Sequence, residues 1–403
     1  MEGPLSGVRI LALENWLAGP FGSMTLSDMG AEVTKIEPTQ GDGSRLSGTP
    51  GYKGECCHYL AYNRNKRGIV LDLWTPLGKE AFYDLVKVSD VVWTNFRAGV
   101  MKRLDADFDA LKKINPRIIC TNISGFGASG PYKDRQSNDS TIAGISGIMS
   151  VTGEPGGRPI RPGPAIPDIA GALYGVIGTI SALYEREKTG VGQSVEVTLL
   201  GSAIALMSFQ IAWYTVSGEV LRPMGSGYWM SAPYGAYKTK DSYIVLGPCC
   251  PRIAMIIGAE WLIDDPGFTT LMSRLKHRQE LDAEIEEGLQ KLTTDEWLEI
   301  LHAEDIVAGP LNTVDKAVAD PQVNHMNMIA IIEHSLGGQI KLAGNPITMT
   351  SLKGKHSSPP TLGQHTEEIL RGILGYSEDK TRRLKEEQAA HAEALRVHVR
   401  KEK

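Results

Sequence analysis

Cysteine is scarce in this chain, with five residues in 403: the adjacent pairs Cys56–Cys57 and Cys249–Cys250, and the single Cys120. An odd number without CxxC or metal-ligand spacing excludes a disulfide framework and a zinc ribbon and points to reduced thiols. Histidine is nearly missing from the first two thirds, where only His58 precedes position 277. The later histidines share no spacing that suits a metal, so no metal is expected. No apolar run approaches the roughly 18 to 20 residues that span a bilayer. The opening stretch, MEGPLSGVRILALENW, lacks a basic segment followed by an apolar one. Charge of one sign is also absent: 42 Lys+Arg stand against 47 Asp+Glu, a formal net charge of −5. Neither nucleic acid nor a membrane is therefore expected as a partner, and the expected compartment is the cytoplasm. Phosphate-loop, GxGxxG, HExxH and GxSxG motifs are missing, which removes the main warrant for common nucleotide-binding and hydrolase functions.

What remains is an ordinary globular composition, 42% hydrophobic and 22% charged, in a chain long enough for two domains. Short β-branched runs alternate with amphipathic stretches through residue 125, which predicts α/β architecture with a doubly wound, mainly parallel sheet. The expected strands are Val8 to Leu13, Glu32 to Ile36, Gly68 to Leu73, Val91 to Thr94, Ile118 to Ser124 and Ser194 to Leu199. Helices are expected at Pro76 to Val88, Val100 to Ile114, Ile169 to Arg186, Arg278 to Lys291 and Thr294 to Ala303, the last capped by Thr294 without an acidic partner. The helix after Asp168 is apolar nearly all round, so it should be buried between the sheet and a second surface, such as another subunit. The expected domains are 1–224, a smaller α+β domain at 225–323, and a return segment at 324–403 ending in a charged helix from Glu378.

Three features carry possible chemistry. Asp168 follows a proline-stiffened loop and opens an apolar helix, which suits either an N-cap or a carboxylate nucleophile at a cleft. Arg64, Lys66 and Arg67 cluster before a strand, and Asn95-Phe96 follows another strand, where doubly wound sheets place ligands. Each of the last two is either an anion contact or a solvated turn.

In order along the chain, Leu17-Ala-Gly-Pro20, Leu26 to Glu37, Asn63-Arg-Asn-Lys-Arg67, Asn95-Phe96, Ser124-Gly-Phe-Gly127, Thr152-Gly-Glu154, Pro167-Asp168, Glu187 to Gln193, Gly309-Pro310, Asp320 to Val323 and Leu362-Gly-Gln-His365 resemble the family III CoA-transferases. That family includes formyl-CoA and carnitine CoA-transferases and α-methylacyl-CoA racemases. The resemblance implies a Rossmann-like large domain built from N- and C-terminal segments, a small middle domain and an interlocked homodimer, with a heteromeric partner as an alternative. It implies acyl-CoA and a free carboxylic acid as substrates, the CoA thioester entering as substrate and no tightly bound cofactor.

By the same resemblance Asp168 is the catalytic aspartate, forming anhydride and aspartyl-CoA thioester intermediates. The backbone of Trp16, Leu17 and Ala18 and of Gly225 to Gly227 supplies oxyanion donors, while Asn95, Phe96 and Arg103, with Lys66 and its neighbours Arg64 and Arg67, hold CoA. The family's frequent glutamine is Leu17 here, and a frequent arginine is Pro38. A racemase would need a base in the Ser137-Asn138-Asp139 segment; Asn138 cannot take up a proton, whereas Asp139 can orient a ligand or bond backbone N–H groups. Arg158 and Arg161 could pair with a second carboxylate, which makes succinyl-CoA or another dicarboxyl-CoA the expected donor.

Overall fold

The computed structural model describes residues 2–401; positions 402 and 403 of the charged tail lie outside the described residues. The chain divides into two compact units: Met1–Ser146, Gly163–Ser208 and Asn324–Lys403 form the first, and Gly147–Pro162 with Phe209–Val323 form the second. The second unit thus begins at Phe209 rather than Gly225, and it takes in 147–162 as well.

The first unit is built on six parallel strands: β1 (Arg9–Leu13), β2 (Glu32–Glu37), β3 (Lys66–Val70), β4 (Val91–Thr94), β5 (Ile119–Ser124) and β6 (Ser194–Thr198). Their order is β3-β2-β1-β4-β5-β6, with β1 pairing both β2 and β4. This doubly wound order reverses between β1 and β4, and the crevice beyond the carboxyl ends of those two strands is where such sheets bind ligands. β3 covers Lys66–Val70 rather than Gly68 to Leu73. Lys66 can sit inside a strand because buried carboxylates neutralise it, a compensation invisible in local hydropathy.

Helices of this unit include α1 (Ala18–Asp28), α2 (Cys57–Tyr62), α3 (Pro76–Lys87), α4 (Asp139–Ile145) and α5 (Ile166–Thr189). α3 starts at Pro76, where a missing N–H is harmless, and Thr75 Oγ1 accepts from the Gly78 N–H at 3.2 Å. The stretch expected as one helix from Val100 to Ile114 is instead two single turns, Val100–Arg103 and Phe108–Leu111. Asp105 between them has φ of 54°, outside the helical region.

α5 carries Pro167 in its first turn and ends at Gly190, whose φ of 74° provides a left-handed cap. Its small residues face the sheet: a Cβ on Gly171 would meet Leu199 and Ile123, and one on Gly178 would meet Val195. α1 packs on the same side. A Cβ on Gly22 would lie 2.3 Å from the Trp93 ring and 3.3 Å from the Ala172 carbonyl, so that contact between α1 and α5 requires glycine. The outward row of α5, Leu173, Tyr174, Ile177, Ile180 and Tyr184, is exposed. Contrary to the expectation that no apolar run approaches a bilayer-spanning length, α5 is, among the described residues, long and apolar enough by length and composition to cross a membrane, although half of its most apolar stretch is buried within the fold.

The second unit has its own core. Strands β7 (Gly235–Lys238), β8 (Tyr243–Leu246) and β9 (Ala308–Pro310) form an antiparallel sheet ordered β9-β8-β7. Helices α6 (Arg278–Leu289) and α7 (Thr294–Ala303) help bury Tyr237, Ile244, Leu281, Ile285, Trp297 and Leu301. α7 is capped by Thr293, not Thr294, in a full capping box with Glu296.

Candidate active site

Because α1 follows β1 and α5 runs back to the start of β6, both helices open at the carboxyl edge of the sheet. Their contact through Gly22 and Ala172 lies one turn inside each helix, so the first turns containing Ala18 and Asp168 are neighbours. First-turn amides have no intrahelical acceptor and carry partial positive charge, which suits a carboxylate or a developing oxyanion.

The segment leading into α1 is held from several sides. Trp16 has φ of 63°, an uncommon conformation for a large residue, and one carboxamide and one carboxylate keep it there. Its N–H donates to Asn15 Oδ1 at 3.0 Å and to Asp42 Oδ1 at 3.2 Å. Asn95, directly after β4, accepts the Asn15 N–H at 2.9 Å and donates Nδ2 to the Asn15 carbonyl at 2.8 Å. Asn15 Oδ1 also accepts from the Gly43 N–H at 2.8 Å. The Leu17 and Ala18 amides find no acceptor among the described residues.

Beneath this turn lies a buried ionic cluster. Glu14 Oε1 accepts from Lys66 Nζ at 2.7 Å and Lys35 Nζ at 3.4 Å, and Lys35 also donates to Asp42 Oδ2 at 2.8 Å. All three of the Glu14, Lys35 and Lys66 side chains are inaccessible to solvent. Burial alone would raise the Glu14 carboxyl, yet the two lysines outweigh it and hold the group below its ordinary value. Burial pushes the Lys66 ammonium down to about 8 against the pull of Glu14. Removing one member of such a buried pair typically costs about 3–5 kcal/mol, since the other charge is left uncompensated.

Asp168 is the third residue of α5 and half-buried; Ala165 is the N-cap, so the capping role open to Asp168 from sequence does not apply. Its backbone N–H donates to Asp139 Oδ1 at 3.4 Å. Asp139 itself is buried at the start of α4. Asn138 is the N-cap of α4, its Oδ1 accepting the Thr141 N–H at 2.9 Å while Thr141 Oγ1 accepts the Asn138 N–H.

The remaining expected contacts divide between the interior and the surface. Arg64 is buried against Asp28, with Nε at 3.0 Å and Nη2 at 2.5 Å, and donates to the Ala343 carbonyl. Arg64 and Lys66 therefore present no charge to a phosphate; both hold the interior together. Arg67 lies between Glu32 and Glu368 at 3.6 and 3.2 Å. Phe96 packs half-buried against the core, and Arg103 is exposed with no ion pair among the described residues. The Trp16 amide is already bonded, which leaves Leu17 and Ala18 as the available donors in that segment. In the second unit the Gly225 N–H donates to the Gly153 carbonyl and that of Gly227 to the Met224 carbonyl, so neither amide is open. These glycines line a cavity of about 760 Å³ with Glu154, Tyr234, Arg278, Asp282 and Glu286. Arg158 and Arg161 are exposed in the same unit.

The sequence alone does not mark α2 as part of the site. Its Tyr62 packs edge-on to Phe21 at 6.1 Å and to His58 at 5.4 Å. Burial raises the Tyr62 phenol, and the negative charge of Asp168 raises it further. The only advance signal was that His58 is the sole histidine in the first two thirds of the chain. Among the described residues no group of three or more His, Cys, Asp and Glu side chains is arranged to hold a metal.

Comparison with known proteins bears on the family of the chain. The family model described as CoA-transferase family III matches residues 5–366. A succinyl-CoA:glutarate CoA-transferase of Homo sapiens is 34% identical over 381 residues, covering 93% of this chain and 87% of that protein. A succinyl-CoA–L-malate CoA-transferase beta subunit of Chloroflexus aurantiacus is 33% identical over 387 residues, 94% of this chain and 96% of that protein. Among solved structures, a CAIB/BAIF family protein from Brucella suis superposes with a TM-score of 0.84 at 34% identity, covering 93% of this chain and all of that one.

Proposed function

The chain belongs to CoA-transferase family III, and on that premise we propose that it moves CoA from a dicarboxylic acyl-CoA, such as succinyl-CoA, to a free carboxylic acid through a covalent intermediate on Asp168. The observation that carries the reading is the juxtaposition of Asp168, in the first turn of α5, with the open Leu17 and Ala18 amides at the start of α1.

The Asp168 carboxylate attacks the donor thioester carbonyl, and the tetrahedral oxyanion collapses to a mixed anhydride as CoA thiolate leaves. The thiolate attacks the aspartyl carbonyl, which releases the donor acid and leaves an aspartyl-CoA thioester. The acceptor carboxylate then attacks the aspartyl thioester carbonyl, expelling CoA thiolate and forming a second anhydride, and the thiolate attacks the acceptor's acyl carbon, giving the new thioester and restoring the Asp168 carboxylate. No net proton is exchanged, and the thioester's free energy is carried from donor to acceptor. Each oxyanion needs fixed donors, and removing one typically lowers the rate on the order of 10²–10³-fold. Leu17 N–H and Ala18 N–H fill that role, while Asp139 holds the backbone of the nucleophile.

Asn138 supports transfer over racemisation: it caps α4 and has no group able to remove an α-proton. CoA enters as substrate, with the exposed Arg103 beside its path and Asn95-Phe96 forming part of the crevice. The exposed apolar row of α5 supports a second copy of the chain as its cover, in keeping with an interlocked homodimer. The five free thiols fit the reducing cytoplasm. The test is direct: the purified protein with succinyl-CoA and glutarate should yield glutaryl-CoA and succinate in equal amounts, and thioester hydrolysis without transfer would refute the reading.

A further inference from the structure

His58 sits edge-on to two rings, Trp16 at 5.8 Å and 77° and Tyr62 at 5.4 Å and 75°. Its Nδ1 is buried and has no hydrogen-bond partner. Buried polar atoms are almost always paired, and one left unpaired calls for a partner that arrives with a ligand or water. The ring lies close to the nucleophile's surroundings. Tyr62 also packs on Phe21, and the next residue of α1, Gly22, touches Ala172, one helical turn beyond Asp168. Burial pushes the imidazole down against the weaker pull of Asp42, so at neutral pH the ring is uncharged and carries one N–H.

We propose that His58 determines specificity by donating its unpartnered ring N–H to the distal carboxylate of a dicarboxylic acyl group whose other end is held at Asp168. The proposal rests on the reading of Asp168 as nucleophile and concerns how that same site tells one acid from another. Trp16 and Tyr62 flank the imidazole and give the methylene chain an apolar wall. A neutral N–H to a carboxylate is a charge-assisted hydrogen bond. A monocarboxylic acid of equal length puts a methyl group at Nδ1 and leaves the nitrogen unpaired, which a site built around that bond penalises. His58 acts through the orientation of substrate, with no part in bond making.

The experiment measures kcat/KM for glutarate and for pentanoate, the five-carbon monocarboxylate, with saturating succinyl-CoA. The covalent intermediate separates the half-reactions, so kcat/KM for the acceptor does not contain the donor step. His58→Ala should lower the glutarate-to-pentanoate ratio about 10- to 100-fold, the range of one hydrogen bond to a charged group. His58→Asn should recover most of the ratio, because its Nδ2 can stand where Nδ1 does. An unchanged ratio in His58→Ala, or equal loss with both substitutions, would overturn the proposal while leaving the transferase intact. Failure of the unsubstituted protein to form either acyl-CoA would instead overturn the reading of Asp168, and the proposal with it.

Discussion

The side-chain amide of Asn95 clasps the backbone of Asn15, accepting its N–H at 2.9 Å and donating to its carbonyl at 2.8 Å. The clasp ties the carboxyl end of β4 to the turn after β1, across the point where the strand order reverses. Asn95→Ala should therefore loosen the Leu17 and Ala18 donors without removing a charge from the CoA site. Steady-state kinetics should show kcat reduced at least about tenfold, with the KM for acyl-CoA changed less than about threefold. A rise in KM at constant kcat would assign the amide to CoA instead.

Arg64 and Arg103 should separate in the opposite way. Arg64 is buried on Asp28, and breaking that pair should destabilise the fold by about 3–5 kcal/mol in urea unfolding. Arg103 is exposed and unpaired among the described residues, so Arg103→Ala should leave the unfolding midpoint in place while raising the KM for acyl-CoA. Similar behaviour of the two variants would contradict the separation.

Acid should unfold the protein through the cluster under Trp16. Glu14 and Asp42 are both held below their ordinary values, 4.5 and 3.8, because lysines outweigh the effect of burial. A carboxyl whose folded value is depressed adds stability above its unfolded value, and that stability disappears as pH falls through the folded one. Unfolding free energy should accordingly drop steeply below about pH 4, and Asp42→Asn should make the drop shallower. An equal slope in both proteins would show that other carboxylates dominate.

Much of this fold is legible because its signals are local. The run Val91 to Thr94 is a strand at the residues its β-branched pattern marks, and the proline of Pro76 and the glycine of Gly190 punctuate helices as their chemistry requires. Lys66 shows where that reading stops. A basic segment looks like a solvated turn until Glu14, fifty-two positions earlier, is seen to bury it. The same holds for Arg64, whose partner Asp28 lies on α1. Asp168 could be picked out from its proline-stiffened helix start and the family resemblance. The His58 ring could not, since its significance depends on Trp16 and Tyr62 closing around it.

The outward face of α5 gives a prediction about assembly. Ile177 is 58% exposed in the middle of an apolar row. If a second copy covers that row, light scattering should give about 88 kDa, twice the 43.8 kDa chain. Ile177→Asp should shift the mass to that of one chain, because an unpaired charge would be buried in the interface. A monomeric unsubstituted protein would rule out the paired arrangement.

The most direct test of the central claim is peptide mass spectrometry after incubation with succinyl-CoA and trapping by hydroxylamine or borohydride. Donor-dependent modification or reduction is expected at Asp168 alone and is expected to be absent from Asp168→Asn. Transfer of CoA with Asp168 unmodified, or a covalent adduct on another side chain, would contradict it.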